Sequence, residues 1–230
     1  MYIDPYYIIL VIPALLLGVW AQYRVNSTFQ KYSQVSGSRG CTGAMAAEMI
    51  LRSNGITDVQ VEHIAGNLTD HYDPTAGVIR LSDSVYGSRS IAAVGVAAHE
   101  AGHAVQYSVG YAPIKIRNFF VPVANIGSKV SIPLILLGVI LSFQKLISFG
   151  ILLFAAVALF QLVTLPVEFN ASNRALAVIQ EQGLLADDEV SGARKVLSAA
   201  AMTYVAALIS TVAQLLRLIG LYGDRGRRRD

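Results

Sequence analysis

The chain has 230 residues, 54% of them hydrophobic and only 14% charged, with a net charge of +3. A soluble domain carries about 25% charged residues, so this composition argues against an ordinary soluble protein and for a membrane protein. The single cysteine, Cys41, excludes an internal disulfide and reads as a small buried residue in a reducing compartment, while the modest basic excess lacks the interleaved aromatics of a nucleic-acid surface.

Pro5 to Tyr23 carries no charge and is long enough to cross a bilayer. No basic stretch precedes it and no small-residue cleavage site ends it, so it reads as a retained anchor, residues 1–23. Arg24, Lys31 and Arg39 follow it while no Lys or Arg comes before. The charge rule then puts the amino terminus outside and residue 24 onward in the cytoplasm.

Residues 24–90 are polar. Ser27 to Val35 and Thr42 to Asn54 read as helices, the second stopped by Gly55. Val59 to Ile64 alternates as a short strand, Asp73-Pro74-Thr75-Ala76-Gly77 is turn chemistry, and Val78-Ile79-Arg80-Leu81-Ser82 is a second strand. That second strand comes just before the most informative stretch of the chain. A free edge on it would pair with an extended peptide, which makes Val78, Ile79, Arg80 and Leu81 candidate substrate contacts. His63 and His71 are better read as hydrogen-bonded surface residues than as ligands. Asp70, Asp73 and Asp83 lack the spacing of a calcium loop. Asn26 and Asn67 head glycosylation sequons that carry no weight in the cytoplasm.

The informative stretch is Val96 to Val105, which contains His99-Glu100-Ala101-Gly102-His103. Ser88 or Ser90 can cap a helix from Ile91 to about Tyr107. On such a helix positions four apart share a face, so both imidazoles can aim at one point. Two imidazoles one turn apart grip zinc, and the Glu between them reaches the open, water-filled position. The plainer alternative is an amphipathic helix with two hydrogen-bonded histidines. Only four His exist in the chain and two fall here with Glu100 in register, so zinc is the better account.

Val130 to Gln144 and Leu146 to Val167 are uncharged, with Lys145 between them. They read as a transmembrane hairpin, residues 118–166, whose tip lies near Lys145 and which returns to the side it left. The returning chain delivers Glu168, at the start of an expected helix, as third zinc ligand; a catalytic zinc takes three protein ligands and leaves the fourth position to water. Glu181, Asp187, Asp188 and Glu189 cluster around the Gly183 stop and read as surface and capping residues. Arg174 is a candidate for binding a substrate carbonyl or holding a carboxylate. The apolar run Val196 to Leu216 is long enough to span but rich in hydroxyls, and it reads as a helix packed on the catalytic domain or lying at the interface. Its Tyr204 is a candidate oxyanion donor. The tail, residues 223–230 with Arg225, Arg227, Arg228 and Arg229, suits anionic lipid headgroups.

With these residues assembled, His99, Glu100, His103 and the segment Glu168-Phe169-Asn170-Ala171-Ser172-Asn173-Arg174-Ala175, the chain resembles the YugP-like neutral zinc metallopeptidases of bacterial membranes over nearly its whole length. It is more distantly similar to the HtpX and CaaX prenyl protease group, where an Asp often stands four residues after the Glu ligand. Here that position is Ser172, so no carboxylate can be assigned there to orient a ligand histidine. The resemblance implies a gluzincin-type peptidase with one catalytic Zn2+.

The sequence therefore predicts a mainly α membrane protein with a zincin-like α+β core, a small β-sheet, and a transmembrane hairpin between the zinc-binding helix and the third-ligand helix. The expected parts are an anchor (1–23), the first part of a metallopeptidase domain (24–117), the hairpin (118–166), the third-ligand and apolar helical segment (167–222) and the tail (223–230). The expected function is zinc-dependent hydrolysis of peptide bonds at the bacterial cytoplasmic membrane, with the site on the cytoplasmic side. Expected partners are a membrane-associated protein or peptide substrate and the bilayer, with no nucleic acid. An intramembrane site-2-type protease is one rival, although no Asp-Gly ligand pair follows the hairpin. A zinc-binding scaffold without activity is the other, weakened by an intact Glu100 and only three evident ligands where structural sites use four.

Overall fold

The computed structural model describes residues 4–223, so the lipid-binding expectation for the arginine tail lies outside the described residues. The chain divides into two compact units: Gln22–Ile114 with Val167–Met202, and Met1–Ala21 with Lys115–Pro166 and Thr203–Asp230. Among the described residues, four helical stretches are long and apolar enough to cross a membrane: Tyr7–Ser33, Ala112–Ile140, Gln144–Glu181 and Asp187–Tyr222.

The first stretch is a π-helical turn, Tyr7–Val11, running into α1, Ile12–Ser33. The separate helix expected from Ser27 is the end of this same helix, because nothing between Arg24 and Ser33 is a Gly or Pro that would stop it.

The unit built on Gln22–Ile114 and Val167–Met202 holds the sheet. Helix α2, Gly43–Ser53, is capped by Thr42, whose hydroxyl accepts from Met45 N at 3.2 Å. Strands β1 (Gln60–Ile64), β2 (His71–Asp73) and β3 (Val78–Ser82) form a sheet in the order β1-β3-β2. β3 pairs parallel to β1 and antiparallel to β2. This corrects the expectation for Val78, Ile79, Arg80 and Leu81: β3 is central, both its edges are taken, and a peptide can add only at β1 or β2. The sequence reading missed β2, because His71–Asp73 is short and runs into turn chemistry. Asp73 Oδ1 accepts from Thr75 N, Thr75 Oγ1 and Ala76 N, closing the β2–β3 connection.

Helix α3, Ile91–Ser108, begins at Ser90, whose hydroxyl accepts from Ala93 N at 3.2 Å. Its first turns are buried on every side, as an all-apolar helix requires. α2 and the sheet pack against it, and Ile50, Ile79, Leu81, Ala97, Ala101 and Ile179 share one core. Each large aliphatic side chain buried there contributes roughly 1.5–3 kcal/mol. Two glycines let other helices approach closely. A Cβ on Gly102 would sit 2.9 Å from Ala171 O, and one on Gly95 would sit 3.4 Å from the Ala193 Cβ.

Ala171 belongs to α5, Gln144–Glu181, and Ala193 to α6, Asp187–Tyr222. Glu168 therefore lies well inside a long helix, not at the start of a new one. Pro166 removes one backbone donor two residues earlier without ending the helix. At the start of α6, Glu189 accepts from Ala186 N at 2.9 Å, the capping role expected of that acidic cluster.

In the other unit, α4 (Ala112–Ile140) and the first part of α5 run antiparallel around a turn at 141–143, where Ser142 has φ +52°. The two helices meet through small residues. A Cβ on Gly127 would lie 2.9 Å from Leu153 O, and one on Gly150 would lie 3.0 Å from Ser131 O. Their outer faces are apolar, with Phe119, Ile140 and Leu152 exposed. The second half of α6 runs beside the amino-terminal helix in the opposite sense. Ser210 Oγ donates to Ala14 O at 3.1 Å, and Arg217 Nη2 meets Asp4 Oδ2 at 2.8 Å. The run 196–216 is thus the middle of one continuous helix, long and apolar enough to cross a membrane. Of the hydroxyls in that run, the one on Ser210 is spent on the Ala14 carbonyl.

Candidate metal centre

The centre is assembled by α3 and α5 within one compact unit. The α3 helix puts His99 and His103 one turn apart, their ring centroids 4.7 Å from each other and their planes at 84°. The close approach at Gly102 brings α5 alongside, with Glu168 facing both rings. Glu168 Oε2 lies 3.4 Å from His99 Nε2 and 3.6 Å from His103 Nε2. One ligand atom from each residue falls within 4.8 Å of the others. The residues separated by the whole hairpin in sequence thus meet at one point.

Glu168 is 3% exposed, and its Oε2 has no hydrogen-bond partner. A buried carboxylate oxygen without a partner is costly in an apolar setting. A cation between it and the two Nε2 atoms satisfies all three. Burial opposes charging of His103, but the Glu168 and Glu100 carboxylates outweigh it and hold the imidazole's pKa above its ordinary value. The field there favours positive charge. Donor types agree: two imidazoles and one carboxylate suit zinc and leave a fourth position open.

Both ring nitrogens facing away from this point are engaged. His99 Nδ1 is 3.1 Å from Ser172 Oγ, and His103 Nδ1 is 3.0 Å from Gln106 Oε1. These are the orienting partners for which the sequence offered no carboxylate. Ser172 supplies a hydroxyl one turn after Glu168 on the same helix. Gln106 was missed altogether. Its signal was a polar residue one turn after His103 in an otherwise apolar helix, and it is fully buried.

Glu100 follows His99 directly on the same helix and is half-buried, close enough for its charge to act on His103. The other candidates have their own surroundings. Arg174 donates from Nε to Asn170 Oδ1 at 2.8 Å, one turn along α5, which makes it a partner of Asn170 and not of the three ligand atoms. Tyr204 is 40% exposed on α6 in the other unit. Val78, Ile79 and Leu81 are core residues, and Arg80 is tied to Asp73 at 3.1 Å and to Glu62 at 3.4 Å. His63 pairs with Asp83 at 2.7 Å, and His71 lies between Thr69 O and Arg80. Neither belongs to a metal-type cluster among the described residues.

A family model described as "Putative neutral zinc metallopeptidase" matches residues 7–223. A protein of Bacillus subtilis (strain 168) named "Putative membrane protease YugP" is 50% identical over 216 residues, covering 94% of this chain and 96% of the relative. No solved structure matches the chain.

Proposed function

Because the chain belongs to the neutral zinc metallopeptidase family, we propose that it is a gluzincin-type metalloendopeptidase in which His99, His103 and Glu168 hold one zinc ion and Glu100 is the general base. The observation that carries this reading is the unpartnered, buried Glu168 Oε2 set against two imidazole Nε2 atoms.

Zinc at such a three-ligand site supplies Lewis acidity, polarising the scissile carbonyl and lowering the pKa of a water at its open position toward about 7. The chain's own residues do the rest. Ser172 and Gln106 hold the imidazole rings with Nε2 facing inward. Glu100 takes a proton from the attacking water on its carboxylate and hands it to the departing amine. General-base help of this kind is worth about 100-fold or more.

The charges after the first span, Arg24, Lys31 and Arg39, favour a cytoplasmic site in a multi-pass protein of the bacterial cell membrane. The third ligand follows a long apolar helical run directly in the chain, so the substrates we propose are membrane proteins, their tails, or peptides near the cytoplasmic surface. Cleavage of one substrate sequence presented soluble and bilayer-tethered checks this. Tethering should raise the rate, and equal rates would remove the membrane preference.

The test of the activity is zinc content and casein cleavage by the purified full-length chain, wild type against Glu100→Gln. The variant should keep its zinc and lose cleavage. Full activity in Glu100→Gln sinks the base assignment, and a zinc-loaded wild type that cleaves nothing leaves the scaffold reading.

A further inference from the structure

The hydrogen bonds behind His103 have a direction, and each donor and acceptor can be assigned in turn. A guanidinium only donates, so the Asn170 atom 2.8 Å from Arg174 Nε is the carbonyl oxygen. That oxygen and the Val167 carbonyl, both acceptors, face the same end of the Gln106 amide at 3.0 and 2.8 Å. That end must be the NH2. The other end is then the carbonyl oxygen, 3.0 Å from His103 Nδ1. So Nδ1 carries a proton and donates it to Gln106, which leaves Nε2, on the side of Glu168, as the nitrogen that can bind a metal.

Gln106 is 0% exposed, so a reversed amide has no water to turn to. His99 is held differently. Its partner is the Ser172 hydroxyl, which can donate or accept and therefore imposes no tautomer. Val167 and Asn170 also flank Glu168 on α5, so one buried amide braces a histidine on α3 and the backbone carrying the third ligand.

We propose that Gln106 is a positioning residue for the metal site, its amide direction imposed by the Val167 carbonyl and by an Asn170 that Arg174 locks. This inference rests on the zinc reading above and deepens it. Arg174, a candidate substrate contact from sequence, becomes the outermost member of the relay.

The experiment is Zn2+ affinity of the purified full-length chain, measured by competition with a chelator, with the melting temperature of the zinc-free protein as folding control. Gln106→Leu should bind zinc roughly 10–100-fold more weakly. Gln106→Glu is the sharper variant. It still offers His103 an acceptor, but it sets oxygen against the Val167 carbonyl and Asn170 Oδ1, so affinity should fall about 10-fold. Asn170→Asp presents only acceptors to both neighbours and should stay within about 3-fold of wild type, whereas Asn170→Leu should lose about 3-fold to 10-fold. Cobalt(II) in place of zinc should show an altered visible spectrum in Gln106→Leu but not in Asn170→Asp.

Wild-type affinity in either folded Gln106 variant overturns the proposal. If Gln106→Leu fails to fold, Gln106→Glu and the half-exposed Asn170→Leu decide, and wild-type affinity in either of them overturns it as well. A wild type that takes up no stoichiometric zinc, or a His103→Ala variant that binds it as tightly as wild type, refutes the zinc reading itself. Intact wild-type binding with unaffected Gln106 variants refutes only the relay.

Discussion

The four histidines of the chain form two pairs, one at the α3–α5 contact and one on the small sheet, and they differ in what Nε2 faces. At the α3–α5 contact both Nδ1 atoms are occupied, by Ser172 and Gln106, and both Nε2 atoms converge on a buried carboxylate oxygen that nothing else satisfies. On the sheet, His63 Nε2 is spent on Asp83 at 2.7 Å, and His71 Nε2 faces the Arg80 guanidinium. These rings are exposed, and water or an ion pair completes them. A histidine is available for chemistry when its neighbours use up the wrong nitrogen and leave the right one aimed at an unmet need.

The largest effect expected from this contrast is on metal content. His103→Ala should abolish stoichiometric zinc and cleavage together, while His71→Ala should leave both unchanged; elemental analysis of the two purified variants checks it. Next comes the helix contact that creates the pair's third member. Gly102→Ala puts a methyl 2.9 Å from Ala171 O, backbone that yields only if α5 shifts. Overpacking of this kind costs about 1–3 kcal/mol, so a lowered melting temperature should accompany weaker zinc binding. Ser172→Ala removes only the hydroxyl behind His99 and should weaken zinc about 10-fold in a chelator titration.

The smallest effect belongs to the sheet pair. Gly66 N–H and then His63 hold the Asp83 carboxyl below the ordinary carboxylate value. A depressed pKa adds stability above the unfolded-state pKa and loses it as pH falls through the folded one. Asp83→Asn should therefore flatten only the acid limb of the unfolding profile, and His63→Ala should move Tm by no more than about 2 °C at neutral pH. A large loss of zinc in either variant would erase the distinction between the pairs.

Much of the metal centre could be read in the residues, because helical spacing puts His99 and His103 on one face and Glu168 is the first acidic residue after Glu100. Gln106 and the hydroxyl of Ser172 could not be assigned so readily. Their roles depend on how α5 lies against α3, and that closeness is set by Gly102 and Ala171, residues whose only message in sequence is smallness. The sheet shows the same limit. Val78 to Ser82 was legible as a strand, but its central position depended on His71–Asp73, too short to announce itself. The long helices ran through their expected breaks because Glu168 and Arg24 interrupt apolarity and not helix propensity.

In the proposed site Glu168 holds the zinc and Glu100 serves it without holding it. The direct measurement is zinc per chain in Glu168→Ala beside Glu100→Gln, both purified as the full chain. Loss of bound zinc in the first, with about one ion per chain kept in the second, is the predicted result. Zinc retained tightly by Glu168→Ala, or lost from a folded Glu100→Gln, would contradict it.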